Sequence, residues 1–255
     1  MSRWTPSPSS SKDVVIPEGQ ELAELFAHIA RDLQTETAPA QTAARIVAAA
    51  MHTVPGCNHA GISVVHRHGR IDTTAASDDV AAAVDAIQYE LGQGPCLETI
   101  RDHESYVICD LTTEDRWPSF SRRVVEETGV RSLLSFRLFV GDDTLGALNL
   151  YSRQVNAFDQ DARAVGAILA AHAAVAMSTV RERERAEHLA RAVESNREIG
   201  MAMGVVMASG LQTPEQAFDM LRRASQRLNV KLRDIATAVV ETGELPERRN
   251  SPTGS

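Results

Sequence analysis

Aromatic side chains make up only 4% of the 255 residues, so the core must be closed largely by small and aliphatic groups, and abundant alanine favours helices packed through small side chains. Cysteine is nearly missing. Cys57, Cys96 and Cys109 have no C-x-x-C spacing, and their odd number excludes a fully paired disulfide framework; a reducing compartment, hence a cytoplasmic location, is expected. Long hydrophobic runs are lacking too. The most apolar stretch, residues 164–180, contains His172 and falls short of the roughly 20 residues a spanning helix needs. The Ser- and Pro-rich start has no apolar leader core, so neither a membrane span nor export is expected. Positive charge is in deficit, with 26 Lys+Arg against 34 Asp+Glu and a net charge of -8. The deficit is uneven: residues 181–255 hold 12 Lys+Arg and 11 Asp+Glu, a balance of +1, which leaves -9 for residues 1–180. This balance argues against nonspecific attraction to nucleic acid, so any such binding must come from a local cationic surface and be salt-sensitive.

The length suits one medium domain and one small one. Residues 1–18 and 247–255 have the Pro, Ser and charge content of disordered tails. Between them, residues 20–34 and 39–52 read as helices, the second with Pro39 in its first turn and Ile46, Val47 and Ala50 on one side. Residues 61–67 and 70–74 read as short strands joined across His68 and Gly69. A helix over 78–91 stops at Gly92, a left-handed cap, and Pro95 forbids its continuation; the segment through Cys96 and Glu98 reads as a loop. A strand at 105–109 and a helix near 114–128 follow. Leu134, Phe136, Leu138 and Val140 alternate in a strand over 132–140, and Gly141-Asp142-Asp143 turns the chain into a second strand, 144–152. This order predicts an α+β domain with a mainly antiparallel sheet flanked by helices, over residues 19–178.

From Asp159 to about Ala208 there is no proline, and a 3/4 spacing runs through Val175, Thr179, Glu182, Ala186, Leu189, Val193, Asn196, Gly200, Met203 and Met207. That heptad, despite its polar members, predicts one long helix whose section 179–196 is a coiled-coil linker to a second copy, making a homodimer. Thr213-Pro214-Glu215-Gln216 opens the next helix with a capping box. Three amphipathic helices then form an all-α bundle over 197–246, buried through Ile199, Ala202 and Val206, then Ala217, Leu221 and Ala224, then Leu232, Ile235 and Val239. The faces opposite those stripes carry Arg197 on the first helix, Arg222, Arg223, Gln226 and Arg227 on the second, and Lys231 and Arg233 at the start of the third. Asn229 reads as the N-cap of that third helix, whose free N–H groups beside Lys231 suit a phosphate.

The run from Ile199 to Met207 (IGMAMGVVM), with Thr213-Pro-Glu-Gln-Ala-Phe218, Leu221-Arg222, Ser225-Gln226, Asn229 and Lys231-Leu-Arg-Asp-Ile-Ala236, resembles the ANTAR domain. The resemblance implies an RNA-binding three-helix domain that recognises paired stem-loops in nascent messages and prevents terminator formation. Phosphate contacts would come from the Arg and Lys set, and Ser225, Gln226 or Asn229 would read splayed loop bases. Without an aromatic stacking platform, recognition is expected to rest on hydrogen bonds and backbone charge. Many family members carry Lys where this chain has Met203, just before Gly204. A glycine inside a helix costs roughly 1 kcal/mol relative to alanine, so Gly204 is expected to permit close approach of a neighbouring helix or of RNA.

Residues 20–178 resemble a GAF domain through Tyr89-Glu-Leu-Gly-Gln-Gly-Pro-Cys-Leu-Glu98, Gly146-Ala-Leu-Asn-Leu-Tyr-Ser152 and Phe158-Asp159. The GAF-plus-ANTAR order resembles a class of actinobacterial antitermination regulators. It implies a small-molecule ligand between the sheet and its covering loops; the ligand's type stays open and no cofactor follows. Cys96, Trp117, Phe120 and Phe136 are the candidate pocket lining. His59, His66 and His68 have no accompanying carboxylate or cysteine spacing that would make a metal site. Two other readings stand beside the RNA regulator: a DNA-binding helix-turn-helix built from the last two helices, and a cysteine-based GAF-fold reductase acting through Cys96. The second lacks a nucleophile-base pair in the sequence.

Overall fold

The computed structural model describes residues 19–36, 38–101, 104–210 and 213–246; both expected tails lie outside them. The chain divides into two compact units, residues 1–182 and 183–255.

In the first unit, α1 (Gly19–Thr35) and α2 (Pro39–Thr53) lead into β1 (His59–Val65) and β2 (Ile71–Ala76), joined by a short 3-10 turn in which His68 (φ 65) and Gly69 (φ 75) take the left-handed conformation. α3 (Asp79–Leu91) is capped at its start by the Asp78 carboxylate, which accepts from the Val80 and Ala81 N–H groups, and at its end by left-handed Gly92. The expected loop beyond Gly92 holds a further helix, α4 (Pro95–Arg101), too short to leave a periodic signature. β3 (Ser105–Ile108) precedes α5 (Pro118–Thr128), which begins four residues later than the sequence suggests because Pro118 takes its first turn after the non-helical Trp117. β4 (Ser132–Val140) and β5 (Asp143–Ser152) form the expected hairpin.

All strand pairs are antiparallel, in the order β2-β1-β5-β4-β3. Strand alternation sends Ile62, Leu134, Phe136, Leu138, Leu148 and Leu150 into one core with α1, α2 and α6 (Gln160–Gly210). Leu133 and Tyr151 point the other way, joining Ala81, Val84, Phe120 and Val124. β5 is the central strand, and Gly146 lets β1 approach it: a Cβ there would lie 1.9 Å from the Ser63 carbonyl oxygen.

α6 starts where Asp159 Oδ1 accepts the Ala162 N–H (2.8 Å) and runs for 51 residues through the boundary between the units. Its apolar first part satisfies length and composition for a membrane helix, but half of that window is buried within the fold, and Ala162, Val165, Leu169, Ala173 and Met177 belong to the core. Val175 (60% exposed), Leu189 (67%) and Val193 (60%) keep the heptad stripe on the surface.

The second unit is completed by α7 (Pro214–Leu228) and α8 (Leu232–Thr242). The capping box forms as expected between Thr213 and Gln216. Ala202, Val206, Ala217, Leu221, Ala224, Ile235, Ala236 and Val239 make its core.

Candidate functional site

Two places in the molecule concentrate polar chemistry. The first lies between the sheet and α3. Asp85 interrupts the buried stripe of α3 formed by Ala81, Val84, Ile87 and Gln88, and its carboxylate is fully enclosed. It accepts hydrogen bonds from Thr73 Oγ1 (2.8 Å), Asn149 Nδ2 (3.2 Å) and the Tyr151 hydroxyl. These donors are all neutral. Loss of solvation therefore outweighs them and pushes the carboxyl up to about 6.

The hydrogen bonds continue outward. Asn149 Nδ2 also donates to Ser63 Oγ (3.1 Å), and Ser135 Oγ donates to Asn149 Oδ1 (2.8 Å). The Tyr89 hydroxyl lies 2.7 Å from Ser63 Oγ and 3.0 Å from Thr73 Oγ1. Gln88 Oε1 accepts the Cys96 N–H (2.9 Å), under Gly94, whose φ of +137 and absent Cβ leave room for that amide. Gln88 Nε2 and Thr99 Oγ1, like His59 Nε2 and Ser121 Oγ, are buried without a hydrogen-bond partner among the described residues.

Cys96 is enclosed with Ile100 and Ala147 and donates its thiol proton to Ser63 Oγ (3.3 Å). Burial first, and then the charge of Asp85, push that thiol up to about 12. A thiolate nucleophile near neutral pH is thus disfavoured, which weighs against reductase chemistry. Trp117 and Phe120 sit in the core beneath α3 and α5, Trp117 edge-on to Tyr106 with the Arg116 guanidinium 4.8 Å from its ring centroid. Phe136 is on the opposite face of the sheet, where it borders a groove of about 420 Å³ with Phe139, Ala171 and Val175. The four expected lining residues therefore do not share one chamber, since Phe136 has the strand parity of Leu134 and Leu138. The residues that do meet are Asp85, Asn149, Tyr151, Ser63, Thr73 and Tyr89; Tyr89, Asn149 and Tyr151 lie in the segments that resemble a GAF domain, but the sequence did not single them out as a site. Their signal was a carboxylate on the apolar stripe of α3, between Val84 and Ile87, and two polar residues interleaved with Leu148 and Leu150. His59 and His66 bond to carboxylates, Asp78 (2.6 Å) and Asp72 (2.8 Å) respectively.

The second place is the surface of the helical unit. Arg222 and Arg223 are both held by Asp219, at 2.6 and 2.8 Å, and hydrogen bonding from Arg222 keeps that carboxyl below its ordinary value. Arg197 pairs with Glu194 (2.8 Å), and Arg233 lies 3.5 Å from Asp234. Lys231 and Arg233 line a cleft of about 370 Å³ with Ser195, Ile199 and Leu232. Gln226 is exposed one turn beyond Arg222 on α7. Gly204 faces open space, with nothing within 4 Å of a Cβ built there, so no neighbour among the described residues explains it.

One expectation is corrected at the α7–α8 turn. Asn229 is not the N-cap of α8; it is the left-handed C-cap of α7 (φ 52), its N–H directed at the Gln226 and Ser225 carbonyls, and Lys231 takes the α8 N-cap position without a side-chain bond. Asparagine suits both roles, and the left-handed one wins because the chain reverses there. Ser225 uses its hydroxyl proton on the Val230 carbonyl (2.7 Å), tying the turn. An exposed aromatic is also present: Phe218, 40% exposed, follows the buried Ala217 and turns away from the core.

Family comparison agrees with these two units. The GAF domain model matches residues 36–178 and the ANTAR domain model residues 187–240. Among solved structures, the GAF domain of a phosphoenolpyruvate-protein phosphotransferase from Coxiella burnetii is similar over 66% of this chain and 99% of its own, at 15% identity and a TM-score of 0.52. The corresponding domain from Acinetobacter is similar over 65% and 98%, at 9% identity and 0.50. At these identities the likeness concerns the fold. No curated protein matches the chain. With its sheet order, its flanking helices and more than half its length matched, the chain belongs to the GAF domain family, and it carries an ANTAR domain at the end of its long helix.

Proposed function

We propose that this protein is a signal-responsive RNA-binding regulator of the actinobacterial GAF-ANTAR kind, which prevents transcription termination in the cytoplasm by binding paired stem-loops in nascent mRNA. The observation that carries the reading is the α7–α8 surface on a matched ANTAR domain, where Arg222, Arg223 and Gln226 run along α7 to the turn at Asn229, and Lys231 and Arg233 open α8. Arginine and lysine there position phosphates, and Gln226 and Asn229 supply hydrogen bonds for loop bases, with Ser225 fixing the turn that presents them. Arg197 and Gly204 on α6 add a cation and a smooth approach for the RNA backbone.

The exposed stripe of Val175, Leu189 and Val193 supports a homodimer that pairs two α6 helices and so offers two RNA surfaces for two stem-loops. The GAF unit supplies the gate. A small polar molecule satisfying Gln88 Nε2 and Thr99 Oγ1 would bias the covering helices α3 and α4, and the sheet, whose opposite face packs on α6, would carry that bias toward the ANTAR domain.

Replacing both Lys231 and Arg233 with alanine is expected to weaken hairpin RNA binding and to lower the slope of log affinity against log salt by roughly 1 to 2, with helix content unchanged by circular dichroism. An unaltered slope would remove both residues from the interface. Binding to duplex DNA that equals or exceeds hairpin binding would favour the helix-turn-helix reading instead.

A further inference from the structure

Phe218 is the only Phe, Tyr or Trp in residues 183–255, yet the fold does not use it to fill the small core of that unit. Ala217, Leu221 and Ala224 are buried on α7, while Phe218 stays 40% exposed. With about 100° of rotation per residue, Arg222 and Ser225 fall within about 40° of Phe218 around the helix axis. Asn229 follows where the same strip meets the turn. The Arg222 guanidinium is thus the ring's neighbour one turn on, about 6 Å along the axis, and Ser225 and Asn229 continue the same strip about 10 and 16 Å away. Asp219 holds the Arg222 guanidinium at 2.6 Å, which restrains where that cation can lie.

An exposed phenyl ring costs solvation that a burying partner recovers. Its surroundings indicate which partner. A second protein would be expected to meet an apolar patch, and the α7 neighbours of this ring are charged or hydrogen-bonding. An unpaired nucleobase suits the arrangement better, because it presents a π face to the ring and its phosphate to Arg222 one turn on, while the nucleotides that follow it run along the strip toward Gln226 and Asn229.

We infer that Phe218 is the base-stacking platform of the RNA surface, receiving one unstacked loop base of the hairpin while Arg222 holds the adjoining phosphate. This rests on the RNA-binding reading and adds to it a single-stranded, sequence-tolerant contact. It replaces the expectation that recognition proceeds without an aromatic.

The test uses the full chain and a pool of RNA hairpins with one common stem and randomised loops, from which the wild-type protein selects its tightest binder. Phe218→Leu is expected to lose about tenfold or more in affinity for that hairpin, and Phe218→Tyr to keep it within about threefold, because tyrosine retains the π face. A fluorescent adenine analogue at the stacked loop position should be quenched by the wild type and by Phe218→Tyr but not by Phe218→Leu. Circular dichroism and light scattering of the Leu variant should match the wild type. If the wild type binds hairpins and Phe218→Leu binds them equally well, the platform is overturned while the RNA reading stands. If the Leu variant loses its oligomeric state instead, Phe218 is a protein contact and the inference is overturned in that way. Failure of the wild type to prefer any hairpin over its bare stem overturns both.

Discussion

Replacing Gly146 with alanine is expected to remove the cooperative unfolding transition of the sheet-containing unit, a loss of at least about 4 kcal/mol. The added Cβ would lie 1.9 Å from the Ser63 carbonyl oxygen, 2.9 Å from its carbon and 3.1 Å from Val64 Cα, all backbone atoms of β1. Gly146 is in register with Val64 on one side and Leu138 on the other, so β5 cannot retreat from one neighbour without pressing on the next. A methyl group on a flexible side chain could be accommodated by rotation; two backbones in a ladder cannot. Because domains are stable by only about 5 to 15 kcal/mol, the near-ultraviolet signal of Trp117 and Tyr151 should be largely lost. Gly200→Ala is the matched control, since its Cβ meets open space and the helix should gain about 0.8 to 1 kcal/mol. A folded Gly146→Ala protein with a native transition would show that β1 and β5 are not held at this distance.

The second large effect concerns protons. The Asp85 carboxyl, pushed up to about 6 by burial against an ordinary 3.8, binds its proton more tightly folded than unfolded. Its contribution to stability is therefore fully present below about pH 4 and is lost as pH rises through about 6. At about 1.36 kcal/mol per tenfold change in proton affinity, this amounts to about 3 kcal/mol between pH 4 and pH 7. Asp85→Asn keeps the size and one acceptor oxygen, and its amide can donate to the Thr73 or Tyr151 hydroxyl. The difference in unfolding free energy between wild type and Asp85→Asn should accordingly grow in favour of the variant by about 3 kcal/mol over that interval. Comparing the two proteins cancels carboxyls of opposite sign, such as Asp110, which the Arg131 guanidinium holds at about 2. A constant difference across this range would mean that Asp85 titrates as an ordinary surface carboxyl.

Much of this architecture was legible in the sequence because its signals are periodic. The alternation of Leu134, Phe136 and Leu138 located β4, and the capping box at Thr213 and Gln216 located α7 to the residue. The heptad along α6 identified a stripe that remains exposed at Val175, Leu189 and Val193. What stayed hidden depended on distant chain segments. Asp85 looks like a surface residue until β1, β2 and β5 are brought over α3, because its three donors come from Thr73, Asn149 and Tyr151. α4 has seven residues, too few to establish a period. Asn229 could cap either helix, and the sense of the chain reversal decided between them. Phe136 shares its residue type with Phe120, but its parity on β4 puts it with Leu134 and Leu138, and only the packing of α5 on the other face separates it from Trp117 and Phe120.

RNA binding by the surface around the α7–α8 turn is tested most directly by titrating the full chain with three labelled ligands at low and moderate salt. The ligands are an RNA carrying two stem-loops, the same RNA with both loops closed into continuous duplex, and duplex DNA of the stem sequence. The predicted result is saturable binding of the two-loop RNA, at least about tenfold tighter than either duplex, with one protein dimer per RNA. Equal affinity for all three ligands, or none for the two-loop RNA at low salt, would contradict it.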